Sequence, residues 1–81
     1  MSVLPHDCRN PTEADLAVAV DLALAHPDAP DRVLGAMAAR LADVPQDTID
    51  GLPPIARQAM IDRAGLLVTE GQDRQVAAMP R

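Results

Sequence analysis

Between Leu16 and Ala25 the chain reads LAVAVDLALA, with a large apolar residue at every even position and alanine or Asp21 at every odd one. That alternation has the period of a half-buried strand. The residues just ahead of it point the other way. Asn10-Pro11-Thr12-Glu13 offers a favoured N-cap residue, a proline suited to the first helical position, and a glutamate able to close a capping box. Alanine leads the helix scale and is depleted in strands, so an Ala/Leu segment behind such a start reads as helix. Wound at about 100° per residue, its even positions split into two stripes. Leu16, Val20 and Leu24 line one side, and Val18 and Leu22 lie nearly opposite. A helix apolar nearly all round is buried on several sides, and a short chain has few elements with which to cover it. The expectation is that Leu16, Val20 and Leu24 face the core while Val18 and Leu22 face a partner, with Asp21 a polar contact of that interface. The alternative is the central helix of a bundle, with Asp21 on a solvated edge.

His26-Pro27 closes this helix, because the residue before a proline is pushed out of the helical region. Asp28-Ala29-Pro30-Asp31 then reads as a second start, with Asp28 as cap and Pro30 in the first turn. Val33, Leu34, Met37, Leu41 and Val44 recur as one amphipathic stripe, and the short link makes the two helices an antiparallel hairpin. Pro45 to Gly51 is a connection with room for one short helical turn. Leu52-Pro53-Pro54 introduces a third helix, which either ends at Gly65 or continues through Leu66, Leu67 and Val68 to a C-cap at Gly71. The predicted helices are 11–26, 29–44 and 54–70. They make an all-α, three-helix bundle, four if the connection contributes a turn: residues 1–9 irregular, 10–71 the helical domain, and 72–81 a flexible tail.

Composition changes this picture in three ways. At 81 residues the chain is expected to form one domain, and a core of that size is marginal. It has no Phe, Tyr or Trp, so the largest single contributors to a small core are missing and closely packed alanine has to compensate. The net charge is −5, and every basic residue is an arginine, scattered along the chain and often beside an acid. A phosphate backbone or an anionic membrane surface calls for clustered basic residues, so neither nucleic acid nor membrane is expected as a direct partner. No apolar run is long enough to span a bilayer and no leader pattern opens the chain, which leads to the expectation of a cytoplasmic protein.

Candidate chemistry is sparse. His6 and Cys8 flank Asp7, but a zinc site needs about four ligands and the only other histidine, His26, lies beyond a helix. Cys8 is the single cysteine, so no disulfide closes within the chain, and a thiolate nucleophile would need a positive, shaped pocket. The pairs Asp28/Asp31 and Asp47/Asp50 suit helix starts better than acid–base chemistry, which requires burial or close neighbours to move a carboxyl pKa. The four glycines are isolated, so no phosphate loop exists. No cofactor, metal or catalytic set is expected.

Asp31-Arg32-Val33-Leu34, after its proline turn, is similar to the second helix of some small anti-sigma factors. Leu52-Pro53-Pro54-Ile55-Ala56-Arg57-Gln58 resembles the entry to a sigma-factor DNA-binding region. Each likeness covers about one helix, and the aromatic anchors usual in the first family are missing here. The expected function is protein–protein interaction without catalysis, as an adaptor, regulatory subunit or inhibitor, or self-association as a homo-oligomer. The candidate partner-binding residues are Val18, Asp21, Leu22, Asp28, Asp31, Asp47 and Asp50. An acidic inhibitor of a nucleic-acid enzyme or transcription factor, of phage or anti-sigma type, is the alternative; it expects Asp28, Asp31, Asp43, Asp47 and Asp50 to share a face. A helix-turn-helix reader of DNA ranks last and expects Arg57 and Arg63 on one face.

Overall fold

The structure, a computed structural model, describes residues 4–78. Four helices follow one another: α1 (Glu13–Ala25), α2 (Pro30–Ala42), α3 (Gln46–Asp50) and α4 (Pro54–Ala78), and among the described residues there is no strand. The all-α bundle expected from the sequence is therefore the fold, with the Pro45–Gly51 connection supplying α3. Residues 4–12 form no helix; positions 1–3 and 79–81 of the two predicted terminal segments lie outside the described residues.

α1 starts two residues later than predicted. Its cap is Thr12, not Asn10, and the capping box closes with Asp15 rather than Glu13. Asp15 N–H donates to Thr12 Oγ1 at 3.3 Å, and Thr12 N–H donates back to Asp15 Oδ2 at 2.8 Å. Both four-residue windows carry capping-box chemistry. Asp15 prevails because it also collects two arginines, which Glu13, open to solvent, does not.

α2 is the central helix, packing on each of the other three and burying Val33, Gly35, Met37, Ala38, Ala39 and Leu41. The predicted cap Asp28 plays no such part; Ala29 occupies that position without a side-chain bond, and Pro30 presets the first turn. At the other end Asp43 takes the left-handed conformation, φ 58°, where glycine is usual. Its N–H donates to Arg40 O and that of Val44 to Ala39 O at 3.0 Å, which satisfies the last carbonyls and turns the chain into α3.

α4 overruns its predicted end. Gly71 is no C-cap: the helix passes through it to Ala78, including seven residues assigned above to a flexible tail. The reason is tertiary. Gly71 is buried where α4 crosses the start of α1, and a β-carbon there would meet Leu16 Cδ2 at 3.0 Å and Pro11 Cγ at 3.1 Å. Gly65 also lies within the helix, in ordinary contact with Leu34. Glycine inside a helix costs about 1 kcal/mol relative to alanine, and close packing offsets that at Gly71. Met37, Leu41, Ile49 and Met60 fill the centre, with Ala19, Ala38, Ala39 and Ala64 letting backbones approach where aromatic rings are absent.

Candidate functional site

The stripes of α1 are not divided as expected. Leu16 is buried, but Val20 is 47% and Leu24 76% exposed, whereas Val18 and Leu22 pack against the core. The assignment of Val20 and Leu24 to the core side and of Val18 and Leu22 to the partner side is thus overturned. The centre of the covered face lies between the two stripes, on Asp15 and Ala19. A small residue and a charged one gave no apolar signal there, yet they are what α2 approaches.

Asp15 is the organising side chain of that contact and was not among the candidate residues. It is 1% exposed, while its partners Arg9 and Arg40 are 46% and 42% exposed. Arg9 donates to both carboxylate oxygens, with Nη2 at 3.0 Å from Oδ1; Arg40 Nε donates to Oδ1 at 2.5 Å, and Thr12 donates through its N–H and hydroxyl to Oδ2. One carboxylate therefore ties the N-terminal arm, the start of α1 and the last turn of α2. The Arg9 guanidinium foremost, then the Thr12 and Arg40 donors, hold its carboxyl far below the usual range despite burial. A permanently ionised, fully bonded carboxylate has no proton to exchange near neutrality. Its chemistry is structural, and the sequence signal that could have found it is Thr12-x-x-Asp15.

The N-terminal arm is also more than a loose end. Arg9 N–H donates to Leu41 O at 2.9 Å, and Leu4 and Cys8 pack against the core. Burial pushes the Cys8 thiol up, opposed by the nearby Arg63 charge. Among the described residues no three of His, Cys, Asp and Glu gather closely enough to hold a metal ion.

Two surfaces remain. A cleft of about 470 Å³ at the C-terminal end of α1 brings together Leu22, Asp31 and Asp50 from the candidate residues, and adds Arg32 and Arg57 of opposite sign. Asp21, Asp28 and Asp47 are exposed and do not line it. Asp43 stands at the far end of α2 from Asp31, about 18 Å along the axis at 1.5 Å per residue. The acids hence form no single-sign face. Arg57 and Arg63 are six residues apart on α4, about 120° apart around its axis, so they do not share a face either.

The second surface is the open side of α1. Glu13, Ala14, Ala17, Val20, Asp21, Leu24 and Ala25 are all exposed, and the helix contains no basic residue. No family model matches the chain, and no curated protein or solved structure matches it. No helix among the described residues is long and apolar enough to cross a membrane.

Proposed function

We propose that the chain is a non-catalytic protein-interaction module, an adaptor, regulatory subunit or inhibitor, that engages its partner through the open face of α1. One observation carries this reading: a helix apolar on both sides is covered on only one, leaving Val20 and Leu24 in water. Burying a fully exposed leucine or valine is worth about 1.5–3 kcal/mol; with Val20 47% and Leu24 76% exposed, covering the pair supplies only part of that from each, a fraction of a micromolar affinity. The acidic-inhibitor reading draws less support, because Asp31 and Asp50 share their cleft with Arg32 and Arg57. Recognition of DNA draws less still, with Arg57 and Arg63 on different sides of α4.

Aspartate substitutions along α1 test the reading. Leu16→Asp places an unpaired charge in a site 4% exposed and abolishes folding. Val20→Asp and Leu24→Asp keep the helical circular dichroism and stay within about 1 kcal/mol of the parent, since neither creates a buried charge. Both lose capture of the cellular partner, or lose self-association by light scattering. Unfolding of the two outer variants alongside Leu16→Asp, or undiminished capture by both, overturns it.

A further inference from the structure

The open face of α1 selects its occupant by charge as well as by apolar area. From the N-terminal end, Glu13, Ala17, Val20 and Leu24 follow at spacings of four, three and four residues, which draws one line along the helix. Asp21 borders that line, and Val20 and Leu24 are the large apolar side chains on it. Glu13 and Asp21 enter no ion pair or side-chain hydrogen bond among the described residues, and the last turn of α1 carries no basic residue to complement the helix dipole. The exposed Ala17 and Ala23, one turn before and after Val20, leave the backbone accessible, so that a second helix can approach to the short end of the usual 8–10 Å range. Arg74 lies across an open trough that Glu13 and Leu16 help to wall, and Arg9 and Arg40, at the start of α1, are taken up by Asp15.

Resting on the interaction reading above, we infer that the partner of this face is a basic amphipathic helix: an apolar stripe that covers Ala17, Val20 and Leu24, edged by Lys or Arg facing Glu13 and Asp21. A second copy of this chain fits less well, because pairing α1 with itself sets acids against acids with no base on the helix. The chain's net charge of −5 favours the same class of partner over distance and speeds its encounter. The apolar line sets the seat, and the acids set the sign of what sits there.

Fluorescence anisotropy with the full chain tests this, using two labelled amphipathic peptides of about 18 residues, long enough for five helical turns. Both carry the same leucine stripe; one has lysine and the other glutamate on the remaining positions. The lysine peptide binds at least about tenfold more tightly, and raising the salt from about 0.05 to 0.5 M narrows the difference. Asp21→Arg weakens the lysine peptide several-fold. Leu24→Asp is the sharpest arm, since it adds a negative charge: diffuse attraction would strengthen, whereas a seat on the apolar line loses about tenfold or more. Circular dichroism establishes that both variants are folded. Unchanged or tighter binding to Leu24→Asp overturns the inference. Equal binding of both peptides, lost in Leu24→Asp, overturns the charge selection and leaves the interaction face standing. A parent dimer by sedimentation that Leu24→Asp dissociates makes the second copy the occupant and overturns the basic partner. Binding of neither peptide by a monomeric parent overturns the inference, and with undiminished cellular capture by Leu24→Asp the interaction reading falls as well.

Discussion

Replacing Asp15 with asparagine preserves the side chain's shape, removes its charge, and turns one of its two acceptor oxygens into a donor. If the amide nitrogen takes the place of Oδ2, it meets Arg9 Nη1 and both Thr12 donors, which breaks the cap. If it takes the place of Oδ1, it meets Arg9 Nη2 and Arg40 Nε. The second orientation costs less, because both arginines are about half open and can turn to water. A hydrogen bond to a charged group is worth about 1.5–3 kcal/mol; discounting for that rehydration, loss of the two in Asp15→Asn costs about 2–3 kcal/mol. For a domain of this size that lowers the melting temperature by about 10–20 °C. The pH dependence has a definite sign. The folded carboxyl titrates far below its ordinary value, so its contribution is complete above the unfolded value of about 4 and is lost as the pH falls below it. The gap between parent and variant is therefore flat through neutrality and shrinks by about 1 kcal/mol by about pH 3. With no aromatic residue to report by fluorescence, urea unfolding followed by far-ultraviolet circular dichroism is the assay. A variant within about 0.5 kcal/mol of the parent at neutral pH, or a gap unchanged in acid, refutes the claim that this carboxylate is the ionised tie between arm, α1 and α2.

Three further predictions use the same assay. Gly65→Ala stabilises by about 0.5–1 kcal/mol, since its β-carbon meets Leu34 at an ordinary 3.6 Å, whereas Gly71→Leu destabilises by about 2 kcal/mol or more by driving Leu16 and Pro11 off α4. Equal effects at the two glycines would remove the helix crossing as the reason α4 continues. Asp43→Gly raises stability by about 0.5–1 kcal/mol by relieving a left-handed conformation at the end of α2, and a loss instead would refute strain there. Cys8→Ser costs about 0.5–1 kcal/mol by setting a hydroxyl against the core, and the parent thiol reacts with a disulfide reagent more slowly than free cysteine at neutral pH; a faster reaction would contradict the raised thiol pKa.

The amino-acid sequence alone determined the class of the fold and most of its punctuation. Proline at Pro30, Pro45 and Pro54 and the strong Ala/Leu bias act through local backbone energetics, so the helices, their order and the turn at α3 were legible in it. The stripe Val33, Met37 and Leu41 was legible too, because α2 is covered by large apolar residues at the helical period. Distance decided the rest. Thr12-x-x-Asp15 and Asn10-x-x-Glu13 both carry capping-box chemistry, and what separates them is that Asp15 collects Arg9 and, from 25 residues away, Arg40. Gly71 looks like a helix end until Leu16 and Pro11 lie against it, when it becomes the one residue thin enough for the crossing. Of the two apolar stripes of α1, the one with three large residues, Leu16, Val20 and Leu24, outranks the one with two, Val18 and Leu22, so hydrophobicity alone pointed to the wrong side. The choice fell to Asp15 and Ala19, the bonded carboxylate and the small side chain that let α2 come close, and it left Val20 and Leu24 facing water.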